Sequence, residues 1–296
     1  MFKKGDRFMD RGARMHQFSP FPDNDTEITR LMMLHLLLQE EIASFCPNLR
    51  ERDNTNAVLD IACGPGWWIF AMAHANRDMD FMGIDRSTSF IQFARTMVHA
   101  REIENALFFV QDVYSLEAAL LPRSGFDFTN MAFIADRTSL SAFPTLLQQV
   151  HRLCRPGGLM RWIEMDPPAT NSEAYGRMTT LLRQALLKAG LGFPASTYAS
   201  GITQVMEQLL RAAGFEEVQG TTHGFIIAAD KASRTHYRFF RQASVACLQM
   251  RAFLLAMEVT TIQEFEQLYR QMHVEMLSKA FRGTCVLRMV YGKRAQ

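Results

Sequence analysis

The chain has 296 residues, 48% hydrophobic and 21% charged, with a formal net charge of +2. This is the composition of a globular protein that buries a core, and the charge is too small to argue for a nucleic-acid or anionic-membrane surface. Five scattered cysteines without a CxxC pair speak against a disulfide framework or a zinc site and for reduced thiols, so a cytoplasmic protein is expected.

The N-terminus, MFKKGDRFMD, lacks the apolar core of a secretory signal. A helical pattern covers 24–46, where Asn24 and Glu27 have the spacing of a capping box. Its run LMMLHLLL at 31–38 is far too short to cross a bilayer. It is apolar almost all round, so it needs cover on two sides, from its own domain and from either the C-terminal part or a second subunit. Residues 56–61 read as a buried strand and 66–76 as a helix. FMGID (81–85) is a second strand, followed by a helix with Phe90, Ile91, Ala94, Met97 and Val98 on one face. ALFFVQD (106–112) and FDFTNMAF (126–133) are strands three and four. A helix over 142–154 tolerates Pro144 in its first turn, RPGG (155–158) ends it, and LMRWIEM (159–165) is strand five. Strands alternating with amphipathic helices predict parallel βαβ units and a sheet covered on both faces.

The second half changes character. A helix over about 172–190 follows strand five, and ITQVMEQLLRAAGF ends at Gly214, a helix C-terminal stop. Residues 215–227 and 283–293 read as strands, with about fifty residues of helical pattern between them. There Thr261 and Glu264 have capping-box spacing ahead of an apolar stripe. Helical additions at about 24–46, 167–200 and 229–281 therefore decorate one α/β core.

The stretch VLDIACGPGWW (58–68) places an acid and two glycines where strand one becomes a helix. In an open parallel sheet, ligands bind beyond the carboxyl ends of the strands. Asp60, Asp85 and Asp112 all lie at such ends, and glycine lets backbone N–H groups approach a ligand. A dinucleotide fingerprint would want a third glycine where Trp67 stands, and the acid at Asp60 suits a cationic ligand better than a pyrophosphate.

These residues resemble motif I of the class I S-adenosylmethionine-dependent methyltransferases, in its D-x-A/G-C-G-x-G form. The family's other landmarks follow in order: Asp85, Asp112 with Val113, FDFTNMAF, and LCRPGG before strand five. The resemblance covers 56–165, and strands six and seven more loosely. It implies an α/β fold, a Rossmann-like, seven-stranded, mostly parallel sheet with helical cap insertions. Residues 1–55 would form an N-terminal helical lid and 56–296 the methyltransferase domain, with insertions at about 167–200 and 229–281. The cofactor implied is S-adenosyl-L-methionine. Its implied site is Asp60, Ala62, Gly64, Gly66 and Trp67 around the methionine part, Asp85 and Arg86 near the ribose, and Asp112 and Val113 near the adenine, with Asn130 and Phe133 after strand four. Ala62 departs from the first family glycine. Aromatic faces such as Trp67 or Phe133 favour a sulfonium.

Residues after strands four and five face the acceptor in such a fold, here Asn130, Phe133, Glu164 and Asp166, with Glu164 the candidate base. No metal is expected. MDPPA (165–169) imitates an amino-methylation motif, but it follows strand five and has Ala169 in place of the stacking aromatic, so that reading is rejected. His223 is a minor site candidate, and the basic run Lys231, Arg234, His236, Arg238, Arg241 reads as a solvated helix face. The Met- and Phe-rich additions favour a small, lipophilic acceptor in a closed pocket, without nucleic-acid or membrane partners. The arrangement also resembles bacterial secondary-metabolite methyltransferases, among them the prenyl C-methyltransferase of teleocidin biosynthesis, whose N-terminal segment exchanges between subunits. From the apolar helix and the 1–22 segment before it, with Phe2, Phe8, Phe18 and Phe21 spaced through it, a homo-oligomer in which residues 1–46 help close the acceptor site is expected. Two alternatives stay open: a non-methylating cofactor-binding descendant (a cyclase or binding module), and an NAD(P)-dependent oxidoreductase.

Overall fold

A computed structural model describes residues 20–51, 55–114, 125–191, 201–229 and 234–296. Among these residues the strands form one seven-stranded sheet, in the order β3-β2-β1-β4-β5-β7-β6. The strands are β1 (Ala57–Ile61), β2 (Asp80–Asp85), β3 (Ala106–Val110), β4 (Phe126–Ala132), β5 (Cys154–Thr170), β6 (Phe215–Ala228) and β7 (Arg282–Arg294). Pairs among β1–β5 are parallel, and β7 runs antiparallel between β5 and β6. The mostly parallel sheet expected from the sequence is present. Strand order reverses between β1 and β4, so their carboxyl ends open the crevice where ligands bind in such sheets.

Helix α1 (Asp25–Glu41) precedes the sheet, and α2 (Trp67–Ala75) and α3 (Thr88–Ala100) follow β1 and β2. Helix α4 (Phe143–Leu153) leads into β5, α5 (Glu173–Lys188) follows it, and α6 (Met206–Ala212) precedes β6. Between β6 and β7 lie α7 (Arg234–Gln249), α8 (Arg251–Ala256) and α9 (Ile262–Leu277). Strand alternation sorts the core. Leu59, Ile61, Met131 and Trp162 pack on α4 and α6, while Val58, Phe128 and Ile163 pack on the face shared by α1, α2, α5 and α7.

Several sequence expectations shift. Strand β5 is longer than 159–165 because β7 pairs with it from Leu159 to Thr170, the register breaking only between Asp166 and Ala169. There Pro167 and Pro168 have no N–H to donate. The helix expected to 46 ends at Glu41, followed by a 3-10 turn at Ala43–Phe45. Both capping boxes form by half. Asn24 accepts from the Glu27 N–H (2.9 Å) and Thr261 from the Glu264 N–H (3.1 Å). The return bonds are absent because Glu27 pairs with Arg30 and Glu264 with Arg177 and Thr260.

Helix α1 finds its cover within the protein, because α7 packs along it. Arg238 of α7 donates to the Leu36 carbonyl at 2.8 Å and pairs with Glu40, and Leu34, Leu37 and Leu38 are buried. Of the two covers expected for this helix, the C-terminal part is the one described, and Leu36 stays exposed. The expected exchange of residues 1–22 falls almost wholly outside the described residues. On the other insertion, Glu275 of α9 accepts from Ser172 Oγ (2.6 Å) and the Ala174 N–H (3.1 Å), capping the start of α5.

Asp127 shows how a single acid seats the sheet. Its buried carboxylate accepts from the Asn56 and Ala57 N–H groups, both at 2.7 Å, and pairs with Arg155. Asp127→Ala is expected to destabilise the fold by about 1.5–3 kcal/mol, because two buried amides lose a charged acceptor. Urea titration of the variant against the wild type checks this.

Candidate active site

The turn after β1 has three residues with left-handed backbone. Ala62 has φ 55°, Gly64 55° and Gly66 85°. At Gly66 a Cβ would lie 2.7 Å from the Phe108 ring, so glycine is required by contact as well as by φ. At Gly64 a Cβ would meet only Leu31 Cδ1 at 3.7 Å, and the residue lines a cavity. The loop is held from β2. Asp85 accepts from the Gly64 N–H (2.9 Å) and from the Ser87 N–H (2.8 Å). Burial pushes the Asp85 carboxyl up, against those two bonds and the charge of Arg137.

A row of polar side chains crosses the sheet beside this loop. Asp60 pairs in register with Asn130, Asn130 with Arg161, and Arg161 with Tyr291. All four therefore project from one face. Asn130 Nδ2 donates to Asp60 Oδ1 at 2.7 Å, and Arg161 Nε donates to Asn130 Oδ1 at 2.8 Å. Arg161 Nη1 donates to the carbonyls of Ser44 (3.1 Å) and Phe45 (3.0 Å). Burial pushes the Asp60 carboxyl up to about 7, opposed by the Asn130 bond and the Arg161 charge.

A cavity of about 310 Å³ opens above the carboxyl ends of β1, β2, β4 and β5. One end touches Asp60, Ala62, Gly64, Asp85, Arg86 and Val113. The other is walled by the insertions: Leu34 and His35 of α1, Tyr175 and Leu182 of α5, Ala246 and Met250 of α7. Burial pushes the His35 imidazole down to about 4, so the ring is neutral at pH 7.

A family described as a methyltransferase domain matches residues 52–197. Residues 52–197 thus make up a methyltransferase domain. The demethylmenaquinone methyltransferase of Geobacillus kaustophilus is 26% identical over 111 residues, 37% of this chain and 45% of that relative. The match thus spans under half the length of that curated relative. Among solved structures, the methyltransferase resembles Haemonchus contortus phosphoethanolamine N-methyltransferase 2, a complex with phosphomonomethylethanolamine and S-adenosylhomocysteine. The TM-score is 0.50 at 13% identity, over 87% of this chain and 52% of that one. It also resembles the 4+2 cyclase SpnF, with a TM-score of 0.52 at 16% identity, over 90% and 82% of the two proteins. At these identities the structures speak for the fold alone.

Most of the residues expected to bind the methyltransferase cofactor meet at the cavity: Asp60, Ala62, Gly64, Asp85, Arg86 and Val113, with Trp67, Asn130 and Phe133 beside them. Gly66 stands one step behind, at the N-cap of α2. Asp112 departs from expectation. It does not line the cavity, and its Oδ1 accepts from the Tyr114 N–H at 2.9 Å, so it shapes the turn that presents Val113. Trp67 donates from Nε1 to the Ile28 carbonyl (3.2 Å) and packs on Phe70 and Phe93, tying α1 to α2 at the cavity wall. A buried carboxyl at about 7 facing a cavity is the partner a cationic ammonium or sulfonium wants, so the donor set fits S-adenosylmethionine.

On the acceptor side the expectations divide. Phe133 has a left-handed backbone (φ 56°) at the end of β4. Glu164 lines the cavity, yet its Oε1 accepts from Trp162 Nε1 (2.9 Å) and the N–H groups of Ile134 (3.1 Å) and Ala135 (3.2 Å). It holds the loop after β4 in place. Asp166 is not in the cavity and accepts from Thr203 Oγ1 at 3.1 Å, because alternation along β5 turns it to the face opposite Met165 and Pro167, which line the cavity. His223 lies outside the cavity too, within 3.3 Å of Ser44 Oγ and 3.0 Å of Thr221 Oγ1. In the basic run, His236 contacts the Met276 carbonyl at 2.8 Å and Arg238 binds α1, so these residues fasten helices; Lys231 lies outside the described residues. His35 and Tyr175 carry no signal in the sequence, because their spacing is that of any core residue. Arg161 had a signal: an arginine in the middle of an otherwise apolar central strand. Among the described residues no group of three or more His, Cys, Asp or Glu side chains is placed to hold a metal ion, and no helix is long and apolar enough to cross a membrane.

Burial pushes the Glu164 carboxyl from 4.5 up to about 8. Between those values the unfolded chain has lost a proton that the folded protein keeps, so this group weakens folding as pH rises. Glu164→Gln removes the titration. Its stability relative to the wild type is expected to rise between pH ~5 and pH ~8. Thermal melts of both proteins at the two pH values check the sign.

Proposed function

We propose that the protein transfers a methyl group from S-adenosylmethionine to a small lipophilic acceptor enclosed by its helical insertions. The observation that carries the reading is the two-ended cavity. Carboxylates and a glycine loop form one end, and apolar side chains of α1, α5 and α7 form the other. The relative named for demethylmenaquinone supports a lipophilic acceptor.

When bound, the cofactor supplies an electrophilic methyl group. The protein's own residues then have three tasks. Asp60 would hold the ammonium group and Asp85 the ribose, while Gly64 would leave room for the backbone to pass close. Helices α1, α5 and α7 exclude water and hold the acceptor in line, which supplies a large part of such a rate. The neutral His35 ring and the Tyr175 hydroxyl are among the polar groups of the apolar end, with Thr179 and Gln242, able to orient an acceptor; of the first two only the imidazole could take its proton, because burial keeps the phenol protonated. Glu164 is a weaker candidate for the base, because one of its oxygens already serves three donors.

Two outcomes are expected. Gly64→Val places a β-branched side chain at φ 55° facing the cavity. It should weaken S-adenosylhomocysteine binding by about a hundredfold or more, roughly 3 kcal/mol, with the circular dichroism of the fold retained. Normal binding in calorimetry would mean that this is not the cofactor loop. Ala246→Trp narrows the other end. It should leave S-adenosylhomocysteine affinity within about twofold while abolishing methylation of the acceptor, which native mass spectrometry of the purified protein can identify as a retained ligand. Acceptor conversion without S-adenosylhomocysteine release would support a non-methylating descendant instead.

A further inference from the structure

The buried arginine of β5 has no part in the chemistry described so far. Arg161 is fully buried, its guanidinium 5.1 Å from the Trp68 ring and 5.6 Å from the Phe128 ring. It donates to one amide oxygen and two main-chain carbonyls, with the Tyr291 phenol beside it, so no carboxylate is among its direct partners. Burying a cation is costly, and an apolar side chain of similar volume is often as stable. The arginine therefore calls for a reason beyond packing.

The chemistry of the row supplies one. A guanidinium only donates. Asn130 must therefore turn its Oδ1 toward Arg161, which forces Nδ2 toward Asp60. Nδ2 only donates in turn, so it favours the ionised acceptor Asp60 Oδ1. Without Arg161 the amide is free to flip and present its oxygen to Asp60, an acceptor that only a protonated carboxyl can satisfy. The same guanidinium holds Ser44 and Phe45 at the end of the α1 segment, whose Phe45 and His35 rings lie 5.5 Å apart in the cavity wall.

We propose that Arg161 is a positioning residue: through Asn130 it aims Asp60, as a carboxylate, at the amino group of the cofactor, and through Ser44 and Phe45 it locks the N-terminal cover to the same point. The proposal rests on the cofactor reading above. The titratable groups facing Asp60 and Arg161 are Asp85 of β2, Cys63 of the glycine loop, Cys46 after the 3-10 turn and Tyr291 of β7. Asp85 opposes ionisation of Asp60, and Arg161 favours it.

The test is the titration of the Asp60 side-chain carboxyl, followed by carbon-13 NMR in the ligand-free protein, together with S-adenosylhomocysteine affinity as a function of pH. In Arg161→Met the Asp60 midpoint is expected to move up by about one pH unit or more. Affinity near pH 7.5 should fall by about threefold for a one-unit move, and by more for a larger one, and recover as the pH is raised. A lesion that is only structural would lower affinity equally at every pH. Arg161→Lys keeps the charge and serves if the methionine variant does not fold. A single ammonium cannot span the fork, so a smaller upward shift is expected. An unchanged Asp60 midpoint in a folded variant overturns the proposal. Failure of the wild type to bind S-adenosylhomocysteine at any pH would instead overturn the cofactor reading, which the ligand-free titration does not depend on.

Discussion

The structure turns on one buried constraint, a carboxylate, an amide and a guanidinium in register on one face of the sheet. Asp60, Asn130 and Arg161 are neighbours because β1, β4 and β5 are neighbours in that order. Each is buried, so each must be satisfied by another member of the row or by the covering segment. A slip of one residue in either strand pair would turn the row toward the opposite, apolar layer. The row thereby fixes the strand register as well as the acid at the ligand.

The cavity exists because the chain leaves β1 and β4 in backbone conformations that side chains ordinarily avoid. Ala62 and Phe133 are both left-handed without being glycine. Such conformations cost of order 1–3 kcal/mol and persist only where surrounding contacts impose them. Here the contacts are visible. The Cys63 N–H donates to the Ile84 carbonyl (2.9 Å), the Gly64 N–H to Asp85, and the Phe133 N–H to the Ile163 carbonyl (3.0 Å). Glu164 gathers the next two amides after Phe133. The strain sits at the rim of the cavity, and the ties that hold it come from neighbouring strands.

The insertions complete the site from distant parts of the sequence. Helix α1 lies against α7, α5 against α9, and the cavity closes between α1, α5 and α7. Each of these helices buries an apolar stripe that serves the core on one side and the cavity on the other. One set of Leu, Met and Phe residues thus stabilises the fold and gives the chamber its apolar character.

The alternation of strands and helices, and the glycine turn with its neighbouring acids, are legible without any structure. These features are local: periodicity, positive-φ demand and strand-end acids are all written within a few residues. Asp60, Gly64, Asp85 and Asn130 are legible for the same reason, because motif residues lie at fixed distances from the strands that carry them. The roles of Glu164, Asp112, His35 and Arg161 come from packing instead. A carboxylate at a strand end can face a ligand or cap a turn, and the neighbouring backbone settles which. Glu164 is met by three N–H donors, and Asp112 by its own turn. A histidine or an arginine within an apolar pattern gains its role from residues far away in sequence. Arg161 is bound to the carbonyls of Ser44 and Phe45 because β5 lies beneath the N-terminal segment, a proximity created by packing that no local spacing encodes.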